Sequence, residues 1–214
     1  MAITFPRPMF ITRSMSQSFE PQRVDYLAPT AARLYAVSAG WPLWTTTVTF
    51  NNMMPDEAAG LRAWIDIQRG PQRTFAAFDI DRVIPFAHQD NRPFRATPSG
   101  WSQAISGDGV AYLTLEGLLC GQVVSIGDYV GFIWDTSKLA LVRACETVQA
   151  DADGTAVFAI EPPVWPSVPG DAVVNLKQAS CLMRLVPGDT KVAEQGLGFT
   201  GSGSKISAVQ DLVA

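Results

Sequence analysis

The sequence predicts a mainly β protein: antiparallel β-sandwich or barrel domains with one packing α-helix at about residues 55–69. Three observations carry this. Segments of strand length rich in β-branched and aromatic residues recur, LWTTTVTF at 43–50 being the clearest. Turn signals follow one another at hairpin spacing in the second half: Gly107-Asp108-Gly109, Asp135-Thr136-Ser137, Asp151-Ala152-Asp153-Gly154 and Pro169-Gly170-Asp171. One stretch shows helical periodicity with its own start and stop.

In chain order, the sequence opens with an extended, proline-broken segment reaching about Pro21. Gln22–Tyr26 and Ala32–Val37 read as short strands, Gly40-Trp41-Pro42 as a turn, and Leu43–Phe50 as a strand. The helix starts at Met54-Pro55-Asp56-Glu57, where proline suits the first turn and the acids suit the positive end of the helix dipole. Ala58, Leu61, Trp64, Ile65 and Gln68 share one face at helical spacing, and Gly70-Pro71 stops the run. Arg73–Ile80 returns to strand, and residues 84–100 form a loop with three prolines. Strand candidates then follow at Val110–Leu119, Val123–Ile126, Tyr129–Trp134, Leu139–Val148, Thr155–Ile160, Ala172–Gln178 and Cys181–Val186. Gly196–Ser204 is rich in Gly and Ser, before Ile206–Val213 as a last edge strand. The expected organisation is an N-terminal β domain with the helix and an extended arm (1–100), an antiparallel β-barrel or sandwich (101–190), and a Gly/Ser-rich C-terminal segment with a short final strand (191–214).

The chain has 214 residues, 47% hydrophobic and 17% charged. Such an apolar composition points to extensive subunit contacts, because monomers seldom leave large apolar patches in water. No apolar run reaches the ~18 residues of a membrane-spanning helix, so no membrane insertion is expected. The first residues lack the apolar core of a signal peptide, so the chain is expected to be made in the cytosol and to be soluble. A net charge of −4 argues against a dedicated nucleic-acid binder. Residues 1–100 hold ten arginines against eight acids, whereas 101–214 hold six basic residues against twelve acidic ones. Cys120, Cys145 and Cys181 are far apart, sit in apolar stretches and read as small buried hydrophobes, reduced and without zinc spacing.

Candidate chemistry is weighed residue by residue. His88, beside Asp90, has the elements of a general base, but no nucleophile motif accompanies it, and a loop histidine is more often a surface or interface residue. Asp151-Ala152-Asp153-Gly154 starts like a calcium loop, yet the twelfth position falls on Pro162, so a tight turn is the better reading. Gly201–Ser207 has Ser204 between Gly203 and Lys205, which breaks the phosphate-loop order, so a flexible linker is the better reading. Asp79 and Asp81 fall on one face of a predicted strand, where a glycosidase-like acid pair competes with the commoner turn-capping and arginine-bonding roles. The six tryptophans have the chemistry of a carbohydrate groove, but scatter across both halves as core or interface anchors. No catalytic residue, metal ligand or cofactor site is assigned, and no cofactor or enzymatic activity is expected. Arginine and tryptophan are favoured at subunit contacts, which makes Arg23, Trp41, Trp44, Arg69, Arg73, Trp101 and Trp165 the interface candidates.

A set of short segments carries a family likeness: QRVDYL at 22–27, GWPLW at 40–44, the helix, RGPQRTF at 69–75 with Asp79, LTLEGL at 113–118, GDYVGF at 127–132, LVRA at 141–144, IEPP at 160–163, CLMRLVP at 181–187 and AVQDL at 208–212. With these the chain resembles, over nearly its whole length, the distal-tail (tail-tip baseplate) proteins of phages and prophages. The resemblance implies a structural role without catalytic residues: a ring, expected to be a homo-hexamer, linking the tail tube protein to the tail hub and fibre proteins around the DNA channel. DNA would be passing cargo only. The implied location is the virion tail tip, after assembly in the host bacterial cytoplasm. The alternative from the residues is a receptor- or glycan-binding tail-tip module.

Overall fold

The computed structural model describes residues 6–13, 15–22, 25–30, 33–38, 40–90, 92–135, 137–193 and 203–212, with side chains throughout except over 25–38. Strand makes up 42% of the chain and helix 11%, a strand share about twice the usual 20–25%. The expected class, mainly β with one α-helix, is the class observed. In chain order the elements are β1 (Arg7–Pro8), β2 (Met15–Gln22), β3 (Asp25–Thr30), β4 (Arg33–Ser38), β5 (Leu43–Phe50), α1 (Pro55–Gln68), β6 (Phe75–Phe78), β7 (Gly100–Ile105), β8 (Ala111–Glu116), β9 (Val123–Val124), β10 (Tyr129–Trp134), β11 (Lys138–Ala144), β12 (Val148–Gln149), β13 (Ala156–Glu161), β14 (Val173–Asn175), β15 (Ser180–Leu185) and β16 (Ser204–Gln210). No helix among the described residues is long and apolar enough to cross a membrane.

Contacts group the chain into two units that interleave along the sequence. Unit 1 is Met1–Met9, Phe75–Leu182 and Leu212–Ala214; unit 2 is Phe10–Thr74 and Met183–Asp211. The cuts expected near 100 and 190 are not those the contacts make, because strand pairing brings the late segment 183–211 back to strands from the first fifty residues.

Unit 2 is built on β5. Trp44, Val48 and Phe50 alternate with half-buried threonines and are themselves fully buried, as period two requires of a strand with one face covered. Thr46 shares the buried face, where its hydroxyl donates to Ser18 O (3.1 Å) and accepts from Gln17 Nε2 (3.0 Å). The strand lies between β2 and β16, antiparallel to both. The expected N-terminal arm is thus partly sheet: β2 pairs with β5 from Met15↔Phe50 to Gln22↔Leu43. Pro21 is tolerated because β2 lies at the sheet edge. The expected last edge strand is instead interior. β16 pairs with β5 on one side and with Met183–Leu185 on the other, and five of its seven residues are buried. Ser204–Ser207, read as part of a linker, belong to that strand, and Lys205 exchanges backbone bonds of 2.7 and 2.8 Å with Lys191. Residues 196–202 lie outside the described chain.

Helix α1 follows its sequence signals. Pro55 opens it, the Glu57 carboxylate accepts the Met54 N–H (3.0 Å), and Arg69 closes it in the left-handed region at φ 51°. Ala58, Leu61, Trp64 and Gln68 are buried as the periodicity requires, and Ile65 is half-buried.

Unit 1 holds a six-stranded antiparallel sheet in the order β14-β10-β11-β13-β8-β7. Its two end strands, β14 and β7, approach each other, so the sheet curls toward a barrel. Leu113 and Leu115 on β8, Val130 and Phe132 on β10, Val142 on β11, and Phe158 and Ile160 on β13 fill the interior. Each such side chain contributes roughly 1.5–3 kcal/mol by leaving water. The loop after β6 is pinned onto this body by two buried polar side chains. Gln122 accepts the Arg95 N–H (2.9 Å) and donates to Arg95 O (3.2 Å). Asp128 accepts from Arg82 Nη1 (3.1 Å), from Phe86 N (2.9 Å) and from Ser125 N (2.7 Å).

Candidate functional site

The site begins on β7. Trp101 and Gln103 lie opposite Leu115 and Leu113, residues of the unit 1 interior, so both point to the inner side of an end strand. Trp101 packs edge-on against Phe132 at 4.8 Å and stays half-buried. The β13–β14 connection, PPVWPSVPGD at 162–171, crosses in front of this strand. Its two valines, Val164 and Val168, anchor it in the core, and the Gln103 side-chain oxygen accepts the Val164 N–H at 2.6 Å. Local turns (Val168 N–H to Trp165 O, 3.0 Å; Ala172 N–H to Pro169 O, 3.0 Å) leave Trp165 half-buried and Pro166 exposed.

Between strand and connection runs a groove of about 370 Å³, lined by Trp101, Ser102, Gln103, Trp165, Pro166 and Gly170 among others. A second depression of about 560 Å³ lies against Trp134, Asp135, Pro169 and Asp171. A narrower one of about 180 Å³ shares Trp101 and Gly170 with the first and Asp171 and Val173 with the second. Three of the six tryptophans therefore line adjoining depressions of unit 1. The residues lining the three depressions include two aspartates and no Arg or Lys.

Of the interface candidates, Trp101 and Trp165 come together in this groove. Arg23 lies outside the described residues. Trp41 is half-buried, Trp44 is fully buried and stacked on Phe19 at 5.3 Å, and Arg69 is an exposed helix cap. Arg73 donates to Ile67 O (3.0 Å) at the end of α1. Gln103, Trp134 and Asp171 were not among the candidates. The 162–171 segment carried the only sequence signal for their convergence, two tryptophan-flanking prolines and a turn, and nothing local tied it to β7.

The other weighed residues fall as follows. His88 is buried rather than at the surface, its Nε2 facing the Val123 backbone (3.2 and 3.3 Å) and its ring packing on Phe94 at 5.4 Å. Asp79 and Asp81 lie just past β6, in a turn and not on a strand, because Asp79 caps it by accepting the Asp81 N–H (2.9 Å). Asp151 accepts the N–H groups of Asp153 (3.0 Å) and Thr155 (2.8 Å), which makes the segment a turn between β12 and β13. Cys181 is buried as expected, and burial pushes its thiol pKa up. Cys120 and Cys145 are exposed, Cys120 in the turn before β9 and Cys145 just past the end of β11. Among the described residues, no three His, Cys, Asp or Glu side chains gather as a metal site. Compared with known proteins, the chain matches no family model and no curated relative.

Proposed function

We propose that the protein is a structural ring subunit of a phage-type tail tip, joining the tail tube to the hub and fibres around the DNA channel. The family likeness of the sequence supports the role, and one structural observation supports self-association. On the outer side of β7, β8 and β13, exposed Tyr112 lies between Ala104 and Ala159, and exposed Val157 sits two residues along β13, opposite Thr114. Val110 continues this face at the β7–β8 turn, and Tyr112 and Val157 are 38% and 49% exposed. Strand β7 carries no charged residue and no proline, the devices that keep sheet edges apart. A heterologous contact of this kind closes into a ring when its rotation allows. The charge distribution fits a channel wall: unit 1 carries seven basic against twelve acidic residues and unit 2 nine against eight. Like charge keeps phosphate from sticking.

Electron microscopy and native mass spectrometry of the full chain test this. A six-fold ring is expected, and the paired substitution Tyr112→Asp, Val157→Asp is expected to leave folded monomers. A wild-type chain that remains monomeric at its highest soluble concentration overturns the proposal, as does a ring whose inner wall is basic.

A further inference from the structure

We propose that the groove between β7 and the 162–171 connection is a binding site for a neutral oligosaccharide. Two tryptophans line it, Trp101 on the strand and Trp165 on the connection, each half-buried with one part of the ring packed on the core. The negative face of an indole attracts polarised C–H groups, and one side of a pyranose ring is a row of them. Sugars also need fixed polar groups at the edges of the platform. Ser102 and Gln103 line the same groove, and Asp171 and Asp135, the latter paired with Lys138 at 3.6 Å, line the adjoining depressions, where carboxylate oxygens can accept from hydroxyls. The 370 Å³ groove is of the size that holds a small ligand, and the linked depressions lengthen it toward Trp134, which suits a chain of sugars over a single one.

The charge of the site selects among ligands that stack on tryptophan. Single-stranded nucleic acid needs a basic track along its phosphates, and the lining has two aspartates and no Arg or Lys. Anionic polysaccharides are disfavoured for the same reason. The site is also held open by its own framework. The 2.6 Å bond from Val164 N–H to Gln103 ties connection to strand, and buried Val164 and Val168 fix the connection on either side of Trp165. Binding therefore costs little ordering of the protein. This site is independent of the ring proposal: ring assembly is read by mass and symmetry, the groove by saturable binding, and either can fail alone.

The test is intrinsic tryptophan fluorescence and calorimetry on the full chain. Three probes are titrated: tetrasaccharides of β1,4-linked N-acetylglucosamine, β1,4-linked glucose and α1,4-linked glucose. At least one is expected to bind saturably, and Trp165→Ala is expected to weaken it at least tenfold. Because loss of Trp165 can loosen the connection, Gly170→Trp is the second variant. Gly170 lines the groove and a Cβ there meets no atom within 4 Å, so a bulky side chain can be placed at the groove wall without displacing a neighbour. It too is expected to reduce binding at least tenfold. Gly107, equally unobstructed and outside the groove lining, supplies the control Gly107→Trp, which should bind as wild type does. Absence of saturable binding with all three probes overturns the proposal. So does binding that survives Gly170→Trp, or saturable binding of a proline-rich peptide or single-stranded oligonucleotide in preference to every sugar.

Discussion

At the scale of single residues, Tyr129 shows how a buried polar group couples stability to pH. It opens β10, lies 6% exposed, and donates its hydroxyl to Asp79 Oδ2 at 3.0 Å. Burial is the main force pushing its phenol pKa upward, the Asp79 carboxylate adds to it, and Arg143 offsets part of the rise. A phenol whose folded pKa lies above its unfolded value stabilises the fold below the ordinary value, about 10, and loses that contribution as pH rises beyond it. Buried Cys181 is shifted in the same direction, so alkaline destabilisation should set in from about pH 9. Tyr129→Phe should lower stability near neutrality by about 1–3 kcal/mol, because Asp79 loses a donor. It should also flatten the decline between about pH 9 and 11 relative to wild type. Urea midpoints measured across that range decide the matter: parallel curves for the two proteins would show that the phenol does not titrate with folding.

At the scale of elements, α1 contains one position that its own pattern cannot justify. Gln68 ends the apolar face, is fully buried, and neither its amide oxygen nor its amide nitrogen finds a partner among the described residues. An unpaired buried amide costs about 1–3 kcal/mol. Gln68→Leu keeps the volume and removes the polar atoms, so thermal unfolding should move upward by the equivalent of about 1 kcal/mol or more. A drop in midpoint would show that the amide is held by a group that matters to the fold. The helix itself was legible in the sequence, as was Tyr129–Trp134 as a strand, because both are decided by local patterns: proline and acids at a helix start, β-branched and aromatic residues in a strand. Strand β7 was not. Gly100, Ser102, Gln103 and Ala104 have no β preference, and only the ladder with β8 makes GWSQAI a strand. β16 was visible as a strand but not as an interior one, since place in a sheet depends on partners far along the chain. The groove was hidden for the same reason: its tryptophans were visible, but the pairing that brings β7 under the 162–171 connection was not.

At the scale of the whole molecule, the interleaving of the two units makes a prediction about which pieces of the chain can stand alone. A piece cut at 101–190 would discard Asp79, Arg82 and the loop to Gly100, and with them the Arg95–Gln122 and Arg82–Asp128 clamps and the first pair of the β7–β8 ladder, Gly100↔Glu116. It would also strip buried Asp128 of Arg82 and Phe86 and buried Gln122 of Arg95, leaving them only the Ser125 and Leu119 N–H groups, at about 1–3 kcal/mol for each lost partner. The piece 75–182 keeps the six strands of the unit 1 sheet, the clamps, and the whole cluster of buried side chains inside it. Its length is ordinary for an independent domain. Produced separately, Phe75–Leu182 should give a β-type circular dichroism spectrum and a single cooperative unfolding transition, while the 101–190 piece should be soluble only with loss of cooperativity or should aggregate. If the shorter piece unfolded as sharply as the longer one, the segment 75–100 would be an ornament on the barrel and not part of what folds it. The same pair of fragments would then carry the groove residues equally well, because Trp101, Gln103, Trp165 and Gly170 lie in both.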